Sequence, residues 1–336
     1  MNERERFRRR MALDGDPEVR SHISITYPVW KEYGTALDEL ESFSDHVRVG
    51  ISRTAGRAAN ARETDRWGCD WVYPLEALDG ICTGHPLASW EALATYAPPD
   101  PEAFTDWDQA RQNVEQAHAR GDAATGGTDH GFVFLRLTYL RGFDRCMMDM
   151  AEGRPELLRL IAIVEQYWMD VVRRWIDLGV DSIGFGDDLG LQQALPISPA
   201  TWRQYIKPTY QRIFSCCRDH GVHVSLHTDG YILDIIPDLL ECGVSVLNPQ
   251  DLVNGVENLR QRAWGRVCIN LDIDRQSVTV FGTPEQSAAH VRHCIERLGS
   301  PRGGLDLIWG VYPGTPLANI RAVARAMDEH AMMWAD

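Results

Sequence analysis

A (β/α)8 TIM barrel is the fold this 336-residue sequence predicts, on three observations. From residue 130 onward, short β-rich runs alternate with longer helical patterns, the spacing of parallel strands joined by crossover helices. Six strands can be read there, and two more, near residues 22–26 and 48–52, bring the number to eight. Several strands carry ionisable or amide side chains toward their C-terminal ends, where barrel enzymes hold their sites. An open doubly wound sheet fits less well, because no G-x-G-x-x-G follows an early strand.

Taken in order, the first eleven residues, MNERERFRRRM, are charged and have no apolar stretch behind them, so they do not read as a secretory signal. They form an N-terminal extension to the barrel. Residues 53–130, with RWGCDWVYP and YAPPDPEAF, are rich in Trp, Gly and Pro, with short helices at best. This is an aromatic-rich insertion, and residues 66–100 are expected to cover the C-terminal mouth as a lid, since such rings need an apolar surface. Strands follow at 132–138, 181–187, 222–227, 244–248, 267–272 and 305–310. The helices between and after them lie at 154–178, 199–220, 231–241, 255–264, 284–298 and 316–329. Ser198 followed by Pro199 reads as an N-cap with proline at the first helical position. Residues 1–336 are thus expected to form a single barrel domain.

The chain carries 34 Lys+Arg against 48 Asp+Glu, a formal charge of −14, which argues against nucleic acid and anionic membrane as partners. No apolar run approaches the roughly 18–20 residues of a membrane span. The eight cysteines show no C-x-x-C pair, so free thiols in a reducing, cytoplasmic setting are expected. Lys31 and Lys207 are the only lysines, and neither sits in an apolar context suited to Schiff-base chemistry.

Alternate residues of a strand face opposite sides. In 222–229 the even positions Val222, Val224 and Leu226 are apolar, leaving His223, Ser225, His227 and Asp229 toward the barrel axis. In 267–274 the same split turns Cys268, Asn270, Asp272 and Asp274 inward. Arg136 and Thr138 end a third strand, Asp187 and Asp188 a fourth, and Asn248-Pro249-Gln250 follows a fifth. His223, lower in the barrel, reads as a satisfied core histidine. His227 and Asp229, at a strand end, read as functional. A closed structural network of His, Asp and Arg is the alternative for the set, since unsatisfied buried groups cost about 1–3 kcal/mol each. His290 and His293 read as part of a solvated helix face.

The runs GVDSIGFGDDLG, ISPATWRQYIKPTYQRIF, GVHVSLHTDGYILDIIPDLLECGVSVLNPQ, GRVCINLDIDRQ…FGTPEQ and GGLDLIWGVYPGTPLANI resemble the uroporphyrinogen decarboxylase superfamily, continuously from about residue 65 to the C-terminus. The resemblance implies a barrel with its site at the C-terminal mouth. The superfamily includes porphyrin decarboxylases and zinc-dependent methyltransferases that move methyl groups between corrinoids, methylated or methoxylated substrates and thiols. The decarboxylases' arginine-rich segment is matched poorly by SRTAGRAAN at 52–60. Where the thiol methyltransferases carry His-x-Cys, this chain has His227-Thr228-Asp229; where they carry a further Cys, it has Trp309-Gly310-Val311-Tyr312.

The expected function is methyl transfer from or to a small organic substrate, as one component of a corrinoid-linked demethylation system. His227 and Asp229 would hold a metal, zinc by resemblance, with the third ligand drawn from Asp188, Asp272 or Gln250. His227, Asp188 and Asp272 are the candidate catalytic residues; Arg136, Gln250, Asn248 and Tyr312 the candidate substrate contacts. A corrinoid is the expected co-substrate, a corrinoid protein the candidate partner and a homodimer the candidate assembly. The alternatives are a metal-free decarboxylase of a porphyrinogen-like or aromatic acid, with Arg136 and a protonated acid at the reacting carboxyl, and a non-catalytic small-molecule-binding barrel.

Overall fold

The computed structural model describes residues 1–335, an α/β fold built on eight parallel strands. In chain order these are β1 (Arg20–Ile25), β2 (Val47–Ile51), β3 (Thr125–His130), β4 (Ser182–Gly186), β5 (His223–Thr228), β6 (Val246–Pro249), β7 (Cys268–Asp272) and β8 (Leu305–Val311). The chain divides into two compact units: residues 1–8, 62–72 and 81–246, and the remainder.

In the first unit the strand order is β5-β4-β3. Gly126 pairs with Ile183 and Ile183 with Val224, and the C-terminal residues line up as His130, Gly186 and His227. The helix Pro155–Asp177 buries Leu157, Leu160, Ile161, Val164, Trp168, Val171 and Val172, a stripe of helical period. Three rings of the aromatic-rich segment pack on this helix. Trp67 lies 4.5 Å from Tyr167, Phe104 5.9 Å from Trp168, and Trp107 5.1 Å from Trp175, ring centre to ring centre.

Three sequence expectations are corrected here. The segment 53–130 holds a full helix, Trp107–Arg120, capped where Asp106 accepts the Gln109 N–H. The run expected as a strand at 132–138 is mostly the helix Phe134–Arg141, and the strand lies earlier, in β3. β3 reads TGGTDH, without the β-branched apolar alternation that marks a strand. Its Gly126 is required by packing, because the Trp175 indole stands 2.5 Å from where a Cβ would be. The helix expected over 199–220 breaks at Ile206 into Pro199–Tyr205 and Lys207–Asp219. Pro208 lacks an N–H and crowds the preceding turn, so the helix restarts there.

In the second unit the order is β2-β1-β8-β7-β6, with Ile23 registered against both Val49 and Trp309, and Leu271 against Leu307. Ile23, Leu307 and Trp309 are buried. The helix Pro284–Leu298 starts at a capping box in which Thr283 and Gln286 each bond the other's backbone N–H.

Candidate metal centre and active site

In β5 the burial alternates as the sequence predicts: Val224 and Leu226 are fully buried, and His223, Ser225 and His227 are half-buried. His223 takes the edge of Phe7, with ring centres 5.7 Å apart, and burial lowers its pKa. It is half-buried rather than enclosed in the core as expected. His227 meets two carboxylates: its Nε2 lies 3.7 Å from Asp188 Oδ1 and 3.5 Å from Asp229 Oδ1. Asp188 also lies 3.3 Å from Nε2 of His130, the last residue of β3. The ligand atoms of His130, Asp188 and His227 all fall within 4.8 Å of one another.

These spacings carry chemical information. Separations of 3.5 and 3.7 Å are too long for good hydrogen bonds. Metal–ligand bonds of ~2.05 Å in tetrahedral array place neighbouring ligand atoms about 3.3 Å apart. Two imidazoles and a carboxylate, with a second carboxylate beside them, form a donor set that suits zinc or another borderline divalent ion. The residues present therefore fit the metal that the family resemblance implies. The hydrogen bond to Asp188, opposed by burial and aided by the charges of Asp188, Asp187 and Asp229, raises the His130 pKa. Burial would raise the Asp188 carboxyl, but His130, His227 and the Asp229 N–H outweigh it and hold the carboxyl below its ordinary value.

Two loops hold the carboxylates together. The Asp229 N–H donates to Asp188 Oδ1 at 3.1 Å, the Leu189 N–H to the Thr228 hydroxyl at 3.0 Å, and the Gly190 N–H to the Asp229 carbonyl at 3.2 Å. Backbone meets backbone here. A Cβ on Gly190 would stand 2.4 Å from the Tyr231 N, and one on Gly230, whose φ is +83°, 2.2 Å from Gly190.

Arg136 is not at a strand end. It sits on the helix Phe134–Arg141, 3% exposed, with Nη1 3.3 Å from Asp65 Oδ2 and its guanidinium over the Trp67 ring at 4.8 Å. Asp65 in turn accepts the N–H groups of Trp67 and Cys69 and the Trp71 indole. Arg136 thus ties the Asp65 loop to the helix, a position that sequence alternation placed wrongly because it took the helix for a strand. Beside it, Cys69, Cys82 and His85 all direct donors at the Tyr139 carbonyl, at 3.4, 3.7 and 2.8 Å.

The other sequence-predicted residues lie in the second unit. Asp272, buried at the end of β7, bonds Arg275 at 2.9 Å, and that guanidinium lies 5.6 Å from the centre of the Tyr312 ring. Gln250 bridges to Asp272 through the backbone, and the Asn248 amide donates to the Asn270 carbonyl. His290 does not face solvent as expected. Its Nε2 lies 2.6 Å from buried Asp251 and 3.8 Å from the Cys294 thiol, one helical turn on. Asp251 also accepts the Asp274 N–H at 3.0 Å, which closes this cluster with hydrogen bonds.

The structure thus brings together His227, Asp188 and Asp229, which the sequence singled out, and adds His130, which it did not. A histidine closing a glycine-rich strand, followed by Gly131, was the available mark. The profile of the family described as uroporphyrinogen decarboxylase (URO-D) matches residues 81–330, most of the chain. The chain belongs to the uroporphyrinogen decarboxylase family.

Among curated proteins, this chain is 24% identical over 158 residues to the methylcobamide:CoM methyltransferase MtaA of Methanosarcina barkeri, covering 46% of this chain and 43% of that one. It is 27% identical over 142 residues to the uroporphyrinogen decarboxylase of Thermus thermophilus, covering 40% of this chain and 38% of that one. The matched stretches thus span less than half the length of these relatives. Among solved structures, a methyltransferase from Methanosarcina mazei superposes with a TM-score of 0.65 at 16% identity, over 98% of this chain and 99% of that one. This likeness shows the shared fold, TIM-like α/β.

Proposed function

We propose that this URO-D family chain is a metal-dependent methyltransferase acting on a small organic substrate, with a corrinoid as the other methyl carrier. The observation that carries the reading is the convergence of His130, Asp188 and His227 at the ends of three adjacent parallel strands, at separations that suit ligands of one ion. A relative named for transfer between methylcobamide and CoM supports the direction of the chemistry. His130, Asp188 and His227 would hold the ion, and Asp229 would stand beside His227 as a second carboxylate and fourth donor. When bound, a divalent ion supplies a Lewis acid that polarises the substrate atom gaining or losing methyl. The chain's own part is to hold two imidazoles and two carboxylates at fixed separation. Asp272 remains a proposed catalytic residue, Gln250, Asn248 and Tyr312 remain proposed substrate contacts, and residues 66–100 a proposed lid of a single barrel domain.

The metal-free decarboxylase reading relied on Arg136 to meet a carboxylate. That guanidinium is buried and engaged by Asp65, so the reading loses its main residue. The test is incubation of the zinc-loaded chain with methylcobalamin and a panel of small acceptors, following loss of the methylcobalamin absorbance and metal content together. The expected result is demethylation that His227→Ala abolishes along with bound zinc. Release of CO2 from a carboxylated substrate with no methyl transfer, or activity unchanged in His227→Ala, overturns the proposal.

A further inference from the structure

We infer that Asp187, which is not among the proposed metal ligands, is the positioning residue that sets the separation of His130, Asp188 and His227. The inference rests on the metal-centre reading above and assigns a role to a residue outside it.

Asp187 is fully buried at the end of β4, directly before Asp188. Its carboxylate accepts three successive backbone N–H groups: Val133 at 3.0 Å and Phe134 at 2.7 Å on Oδ2, and Leu135 at 2.8 Å on Oδ1. It also accepts the Tyr210 hydroxyl at 2.8 Å. The three N–H groups open the helix that follows the His130 corner, and the Gly131 and Phe132 N–H groups of that corner donate to the Gly186 carbonyl at 2.9 and 3.0 Å. On its other side the Asp187 N–H donates to the His227 carbonyl at 3.1 Å. One residue therefore bonds the backbone of His227, anchors the turn that begins one residue after His130, and precedes Asp188 in the chain.

The energetics give this geometry force. Charge-assisted bonds from backbone N–H to carboxylate are the stronger class, and a helix N-terminus favours negative charge. Val133 has φ −121° and ψ −65° and no side-chain cap of its own, so the helix has no local substitute for Asp187. An amide at this position keeps the shape but weakens an acceptor of four donors, and the corner carrying His130 is released first.

The test compares Asp187→Asn with Asp181→Asn in the full chain. Asp181 is the matched control. It precedes the other end of the same strand and is also buried, bonding Arg4, His118 and the Ala124 N–H. Zinc affinity is measured by competition with a chromophoric chelator and the Co(II) form by visible absorption, with far-ultraviolet circular dichroism as the fold control. Expected is a 10–100-fold loss of zinc affinity and altered Co(II) bands for Asp187→Asn, as when supporting partners of metal ligands are removed. Asp181→Asn should lose stability with affinity and bands unchanged. Tyr210→Phe, which removes one donor and leaves the acceptor, should fall between Asp187→Asn and wild type. Equal affinities for Asp187→Asn and wild type, or equal losses in both aspartate variants, overturn the assignment alone. If the wild-type chain takes up neither ion, the metal centre itself is rejected and this assignment with it. If Asp187→Asn does not fold, Tyr210→Phe decides: unchanged affinity and unchanged bands overturn the assignment, and an affinity loss with wild-type circular dichroism supports it.

Discussion

Asp188 accepts the backbone N–H of Asp229 at 3.1 Å, so the carboxylate that faces His130 also anchors the loop bearing the second carboxylate. The two loops can lie this close only because Gly190 and Gly230 meet without side chains. The proposed site thus depends on a backbone contact as much as on its ionisable groups.

Gly190→Ala should separate these loops. The added Cβ meets Tyr231 backbone at 2.4 Å, an overpacking cost of about 1–3 kcal/mol. Gly127→Ala in β3 meets nothing nearer than 3.8 Å and should stay within about 0.5 kcal/mol of wild type. Denaturant midpoints and zinc uptake check both. Equal behaviour of the two variants would contradict the role of the contact.

Asp181 predicts a pH dependence of stability. Burial would raise its carboxyl, but the Ala124 N–H, Arg4 and His118 prevail and hold it below the ordinary value. A carboxyl lowered in the folded state stabilises above its unfolded pKa of roughly 4, and the gain is lost as pH falls through the folded value. Asp181→Asn should therefore cost about 1–3 kcal/mol at pH 7. The gap to wild type should shrink below about pH 4. Urea unfolding at pH 7 and pH 3 checks it; a gap that widens in acid is the contrary outcome.

Arg136→Met should loosen the Asp65 loop. It removes the Asp65 ion pair and the cation held over Trp67, while keeping most of the side-chain volume. Hydrogen exchange should rise in residues 65–72 with little change in β4 and β5, and stability should fall by about 1–3 kcal/mol. Arg136→Lys should recover little, since one ammonium cannot reproduce a stacked planar fork. Unaltered exchange in 65–72 would show that Arg136 does not hold the loop.

Cys82 should be modified ahead of the buried thiols in the folded protein. A hydrogen bond from Cys69 lowers its pKa, and it is half-buried rather than enclosed. Burial pushes Cys146, Cys217 and Cys242 up to about 12, and Cys268 and Cys294 well above the ordinary range. Peptide mapping after brief alkylation at pH 7 reads the order. Labelling of any of those five ahead of Cys82 would be the opposite result.

Much of the fold was legible because most parallel strands here are runs of apolar or alternating residues bounded by glycine, and β4, β5, β7 and β8 lie within two residues of expectation. His227 and Asp229 were legible for the same reason: period-two alternation in β5 fixes which side they leave. β3 was illegible because Gly126 serves the Trp175 ring, and a strand written TGGTDH reads as a turn. His130 was lost with it. The helix at Phe134–Arg141 was missed because its N-terminal acceptor is Asp187, which no local window contains.

That remote cap bears on the order in which the molecule is made. A helix whose terminal N–H groups bond a carboxylate 53 residues downstream cannot be completed while that carboxylate is still unsynthesised. On the ribosome, the chain through Arg141 would emerge with this helix end satisfied only by water. His130, already translated, would wait for β4 to arrive before its corner could set. Nascent chains arrested before residue 187 should therefore show the 130–141 segment open to protease, and chains arrested well beyond Tyr210 should show it closed.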